Sequence, residues 1–70
     1  MGLVTWLERR RYEEHLTQQE FASTLGLSKA TYNQVTRQRI RPSLRVFAAA
    51  LRKYPDRRNE IADAVADDAT

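Results

Sequence analysis

The sequence predicts an all-α chain of five short helices packed as one domain, and three observations lead there. Its 70 residues are rich in alanine and contain only two glycines and two prolines, a composition that favours helix. No segment shows the alternation of apolar and polar residues that marks a half-buried strand. Helix-starting and helix-stopping residues recur along the chain at helix-length intervals. A chain of this size forms one domain with a modest core. Residues 1–66 are expected to make up that domain, with 67–70 a short acidic tail.

The first helix starts at Leu3 or at Thr5 and runs to Glu14. Leu3, Val4, Leu7 and Trp6 can share its inner side, and Thr5 with Glu8 would form a capping box at the later start. The second helix carries the clearest local signal. Thr17 and Glu20 match T-x-x-E, in which each side chain satisfies a first-turn amide, and Leu16 and Phe21 bracket the cap as a hydrophobic staple. Phe21 and Leu25 lie four apart with Ala22 beside them, and Gly26 stops the helix because glycine enters the left-handed conformation without penalty. Ser28 caps a third helix, stapled by Leu27 and Tyr32 and ending near Thr36 or Arg37. Residues 37–42 form a basic loop. Ser43 caps a fourth helix carrying Leu44, Phe47, Ala48 and Leu51, ending by Tyr54 because Pro55 disfavours helix before it. Asp56 caps a fifth helix reaching about Ala66, with Ile61 and Val65 four apart.

Composition excludes several classes of function. The chain has no cysteine and one histidine, so no thiolate metal site, thiol nucleophile or disulfide framework can form. No phosphate-cradling glycine loop appears and the acids are scattered, so an enzyme has no evident centre and no cofactor is expected. No apolar run is long enough to span a bilayer, and the N-terminal charges follow the apolar stretch, unlike a secretory signal. A cytoplasmic, nucleoid-associated protein is expected.

Charge is unevenly placed within a net of +3. Residues 1–20 and 56–70 are net acidic. Residues 21–55 contain Lys29, Arg37, Arg39, Arg41, Arg45, Arg52 and Lys53 and no acid. Such a block suits a polyanion, nucleic acid before anionic membrane.

The second and third helices are joined by Gly26-Leu27-Ser28, too short a link for an easy antiparallel return. A steep crossing of the helix-turn-helix kind follows over about residues 17–36, with Ala22 as the small residue at the contact. At about 100° per residue, Tyr32 and Val35 fall on the opposite side of the third helix from Lys29, Ala30, Asn33, Gln34 and Arg37. That outer arc holds amides and cations without an acid. Lys can donate to guanine O6/N7, Asn or Gln can pair with adenine N6/N7, and Ala can meet a thymine methyl. Loop arginines match phosphate bidentately. The amides that open the second helix also favour phosphate, with the Gln18 side chain able to add a bond.

The stretch Leu16–Leu44, LTQQEFASTLGLSKATYNQVTRQRIRPSL, resembles the Cro/phage-repressor (XRE, lambda-repressor-like) helix-turn-helix family. The shared features are L-T-Q, then Ala22, then L-G-[VL]-S at Leu25–Ser28, then P-S-L at Pro42–Leu44. The resemblance implies a five-helix domain that binds operator DNA as a transcriptional regulator, most often a repressor. It places the base readers at Lys29, Ala30, Asn33 and Gln34. Contacts to the DNA backbone fall at Gln18, Thr31, Arg37, Arg39 and Arg41, and Ser28 and Arg45 complete that set. Family members usually bind palindromes as homodimers, and Tyr54, Ile61 and Val65 are the expected interface, unless they close the monomer's own core. The chain departs from the family at three places. Thr36, Arg37 and Gln38 replace a common Glu-Arg-Gly, Tyr32 replaces a smaller aliphatic and so would pack loosely or expose its hydroxyl, and His15 replaces a glycine.

The remaining polar residues have plain readings. Trp6 belongs to the core or to a partner contact, and His15 to a solvated turn. Arg9, Arg10 and Arg11 pair with Glu8, Glu13 and Glu14 within the first helix. Asp67 and Asp68 are solvated. Beside sequence-specific binding of double-stranded DNA stand two alternatives: a helical interaction module such as an antitoxin or adaptor, and a non-specific architectural DNA binder.

Overall fold

The computed structural model describes residues 2–37 and 44–69. The domain is all-α: α1 (Leu3–Glu13), α2 (Gln18–Thr24), α3 (Lys29–Thr36), α4 (Leu44–Lys53) and α5 (Arg58–Ala69). Helix α1 packs on α5 and α3, α2 on α3, and α4 on α5.

Helix α1 takes the earlier of its two expected starts. Gly2 precedes it in an extended conformation and offers no side-chain cap. The cap comes instead from the far end of the chain, where Asp68 Oδ2 accepts from the Leu3 amide at 3.0 Å. A negative group at a helix N-terminus also complements the dipole. The Thr5–Glu8 capping box therefore does not form. Nor are residues 67–69 a tail: α5 continues to Ala69, and Asp68, although exposed, is tied to the start of α1.

Two helix ends share one geometry. At the end of α2, Leu27 N donates to Ala22 O (2.9 Å) and Gly26 N to Ser23 O (3.0 Å), the paired bonds of a Schellman motif. Gly26 sits at φ +73°, where glycine is without steric penalty. At the end of α1, Leu16 N donates to Arg11 O (3.2 Å) and His15 N to Tyr12 O (3.1 Å). The left-handed residue there is His15, at φ 58°, standing where the resemblance leads one to expect glycine.

The starts of α2 and α3 are as expected. The Thr17–Glu20 box is complete, with bonds of 2.9 and 3.2 Å. Ser28 Oγ accepts from Thr31 N at 3.0 Å. The staple partners Phe21, Leu27 and Tyr32 are buried, and Leu16 packs against the core.

The C-terminal half shows two features that spacing alone does not give. Leu44 is 79% exposed, and the inward side of α4 is Val46, Ala49 and Ala50, with Phe47 and Leu51 at its margin. The small side chains of Ala49 and Ala50 are thus the ones buried on α4, which packs on α5. Asp56 does not cap α5 directly: Pro55–Arg57 form a single 3-10 turn, and the α-helix begins at Arg58. The proposed caps and contacts at residues 38–43, among them Ser43, Arg39 and Arg41, lie outside the described residues.

The core runs through all five helices. Leu3, Trp6 and Leu7 of α1 meet Phe21 and Ala22 of α2, Tyr32 and Val35 of α3, and Ile61 and Ala64 of α5. Trp6 stacks edge-on to Tyr54 at 5.2 Å, with its Nε1 donating to Glu60 (3.3 Å). No buried side-chain polar atom among the described residues lacks a partner.

Candidate nucleic-acid interface

The candidate surface is the outer side of α3. Lys29, Ala30, Gln34 and Arg37 are exposed, Asn33 and Thr31 are partly exposed, and Tyr32 and Val35 are buried at 1%. The helical arithmetic is thus realised, with anchors inward and amides and cations outward. Lys29, Arg37 and the exposed Arg45 of α4 make no ion pair with another described residue. Ser28 and Thr31 are bonded to each other through their hydroxyls at 2.8 Å.

Not every cation of the acid-free block belongs to this surface. Lys53 Nζ donates to Glu14 (3.0 Å) and to Thr24 Oγ1 (2.6 Å), and lies 4.2 Å from the centre of the Phe21 ring. Glu14 also accepts from the Tyr54 hydroxyl. Glu14, at the C-cap of α1, therefore holds the end of α4, and Lys53 ties it to the end of α2. Arg10 and Arg57 converge in the same way on Glu60.

Behind the outer face of α3 lies a group that sequence reading placed only in part. Glu8 was expected to pair within α1, and it does: Arg11 Nε donates to it at 2.6 Å. It also reaches across the fold. Tyr32 Oη donates to Glu8 Oε2 at 2.9 Å, and Gln18 Nε2 donates to Glu8 Oε1 at 3.1 Å. Gln18 Nε2 further contacts Thr36 Oγ1 at 3.5 Å, while Thr36 Oγ1 itself donates to Asn33 O at 3.0 Å. Asn33 Nδ2 donates to Gln18 Oε1 at 3.2 Å. Burial by itself would raise the Glu8 carboxyl, but hydrogen bonds from Arg11, Gln18 and Tyr32 outweigh it and hold the group below the ordinary glutamate range. The Tyr32 hydroxyl is pushed far up, first by burial and then by its bond to Glu8.

Two expectations change as a result. Tyr32 is neither loosely packed nor exposed; its ring meets Phe21 at 5.6 Å and its hydroxyl is consumed by Glu8. The Gln18 side chain turns its amide nitrogen inward, toward Glu8 and Thr36, so it is not poised to donate to a phosphate. A signal for Glu8 did exist: Glu8 and Arg11 continue the spacing of Val4 by four and seven residues, along the margin of the apolar side.

Of the expected interface residues, Ile61 is 0% exposed and closes the monomer's core, so it is not available to a partner. Tyr54 and Val65 are partly buried against that core. Among the described residues no group of three His, Asp or Glu could hold a metal ion, and no helix is long and apolar enough to cross a membrane.

Five helices, with the second and third joined over one left-handed glycine and the third presenting an acid-free polar face, define a helix-turn-helix DNA-binding domain. The Helix-turn-helix family profile matches residues 7–55, most of the chain, and the protein belongs to this Cro/C1-type (XRE) family. DNA binding and transcriptional regulation come with that membership, and the family is not enzymatic. No curated protein and no solved structure gives a significant match.

Proposed function

We propose that this protein is a sequence-specific regulator, a repressor of phage, plasmid or bacterial origin, that lays α3 in the major groove of a palindromic operator. It works in the cytoplasm, on the nucleoid. The observation that supports this reading is the outward arc of α3: exposed Lys29, Ala30, Gln34 and Arg37 flank Asn33, with no acid among them. Lys29, Ala30, Asn33 and Gln34 face base edges. Ser28, Thr31, Arg37, Arg39, Arg41 and Arg45 hold the backbone and fix register, which carries no sequence information itself. One such helix reads only a few base pairs. Two copies of the chain therefore bind together, with half-sites about 34 Å apart, meeting through Val65 and Tyr54 rather than the buried Ile61.

Selection of bound duplexes from a random pool tests the reading. It should return one half-site and one spacing. Gln34→Ala should relax preference at one base pair and cost about 1–3 kcal/mol on the best site, whereas Arg37→Ala should weaken all sites alike and reduce the salt slope by about one. A dimer touching about 6–10 phosphates should lose roughly 10³–10⁵ in affinity between about 50 and 200 mM salt. Equal binding to every duplex would point to an architectural role, and no duplex binding to an adaptor. A monomer by sedimentation at concentrations that saturate DNA would overturn the dimer.

A further inference from the structure

We propose that Glu8, half-buried on α1 behind the reading face, is a specificity-determining positioning residue that fixes which way the Asn33 amide faces and so makes Asn33 a reader of adenine. The inference rests on the DNA-reading assignment of α3 and deepens it.

The argument is one of donors and acceptors. An ionised carboxylate only accepts hydrogen bonds. Glu8 Oε1 lies 3.1 Å from the terminal amide of Gln18, so that amide must turn its NH₂ toward Glu8. Thr36 Oγ1 stands in line for the second N–H, since its own proton is given to Asn33 O. With its nitrogen committed inward, Gln18 presents its carbonyl oxygen to Asn33. Asn33 must then answer with Nδ2, as it does at 3.2 Å. An Asn33 turned the other way would set two carbonyl oxygens against each other. The direction imposed at Glu8 is thus passed through Gln18 to Asn33, on the partly exposed side of α3.

Two further contacts keep the carboxylate in place. Arg11 is bonded to both of its oxygens, at 2.6 and 3.3 Å, and is itself anchored on Leu16 O at 2.9 Å. Tyr32 occupies Oε2 at 2.9 Å from a ring that is 1% exposed. Neither touches Gln18, so the orienting bond and the supporting bonds can be separated by mutation.

What remains on Asn33 is the carbonyl oxygen and one N–H. In the major groove adenine offers the matching pair, the N6 donor beside the N7 acceptor, whereas guanine offers two acceptors and repels the carbonyl. A freely rotating asparagine could meet either purine with its NH₂. An asparagine held by Gln18 discriminates against guanine.

Glu8→Gln tests this. Glutamine keeps the shape but can present either oxygen or nitrogen to Gln18, so both relay directions become allowed. The wild type and the variants Glu8→Gln, Tyr32→Phe and Asn33→Ala are compared by duplex selection at a temperature where all are folded by circular dichroism. Asn33→Ala should erase the preference at one base pair and thereby identify it. Glu8→Gln should lower the adenine-over-guanine ratio at that same base pair by roughly fivefold or more, leaving other positions and the salt slope unchanged. Tyr32→Phe, which removes a supporting bond only, should retain the ratio. Should Glu8→Gln fail to fold, Gln18→Met breaks the relay at its middle and should give the same single-position loss. An unchanged ratio in Glu8→Gln, or in Gln18→Met where that variant stands in, overturns the relay. If Asn33→Ala alters no position, the placement of the reading face fails first, and the relay falls with it.

Discussion

The α2–α3 unit and the base formed by α1, α4 and α5 are held together by different means. In the unit, the order is polar and local: a complete capping box at Thr17, a serine cap at Ser28, a Schellman turn at Gly26, and the Gln18–Asn33 pair. In the base, it is apolar and distant: Leu3, Leu7, Val46 and Ile61 are all 1% exposed or less, and the one bond that starts α1 spans 65 residues. The two meet at Phe21 and Tyr32, which carry the unit into the core. The difference separates two tasks. Apolar packing is non-directional and tolerates small shifts, so it supplies stability. Hydrogen bonds to fixed partners set the direction of a side chain, so they supply the reading geometry.

The largest effect expected from this contrast is on the base. Ile61→Ala removes a side chain with no solvent exposure, and such truncations cost about 2–5 kcal/mol. Urea denaturation should show that loss with little change in slope. DNA selection, run where the variant is folded, should return the wild-type half-site. A changed half-site would break the division between base and unit. A small loss of stability with loss of the dimer would instead place Ile61 at an interface and contradict its burial.

A smaller effect sharpens the comparison inside the base itself, where polar contacts also sit, the Asp68–Leu3 bond among them. A Cβ on Gly2 would overlap the Asp68 carboxylate, which would have to leave the Leu3 amide. Gly2→Ala and Asp68→Ala should therefore cost about 0.5–2 kcal/mol each, the range for loss of a helix cap. Because both lose the same bond, the double variant should cost much less than their sum. Additive losses in a denaturation cycle would show that the two residues do not share a contact. A loss as large as that of Ile61→Ala would mean that the base, too, depends on directed bonds.

The same contrast decides what was legible in the sequence. Caps, staples and the glycine stop are encoded within four or five residues, so Thr17, Glu20, Gly26 and Ser28 could be placed from spacing alone, and with them the outer arc of α3. Long-range polar contacts leave no such trace. Nothing near Asp68 points to Leu3, and nothing near Glu8 points to Gln18 or Tyr32 beyond its place on the margin of the α1 stripe. The rotation of α4 is not legible in the sequence for another reason. Leu44, Phe47, Ala48 and Leu51 and the set Val46, Ala49 and Ala50 both have helical spacing, and hydrophobicity favours the former. Which set turns inward is decided when α4 packs on its neighbours, and that is a property of the packed helices.

The smallest expected effect concerns acid, and it bears on a charged group that joins base to unit. Glu8 is on α1 but its partners are on α1, α2 and α3. Its carboxyl is lowered in the fold, despite burial, by the bonds it accepts, while in the unfolded chain it titrates near the ordinary value of about 4.3. The unfolded state thus binds this proton first. The contribution of Glu8 is present above that pH and is lost as pH falls through the folded value. Glu14, Glu20 and Glu60 are also lowered, so the wild-type acid arm alone does not isolate one group. The difference between wild type and Glu8→Gln does, since the other three are common to both. The wild type should be the more stable at neutral pH, and its advantage should shrink as pH falls from about 5 to about 3. Urea midpoints at intervals across that range measure the gap. Two curves that stay parallel would show that the Glu8 charge contributes nothing to holding α1 against the reading unit, and that its bonds serve orientation alone.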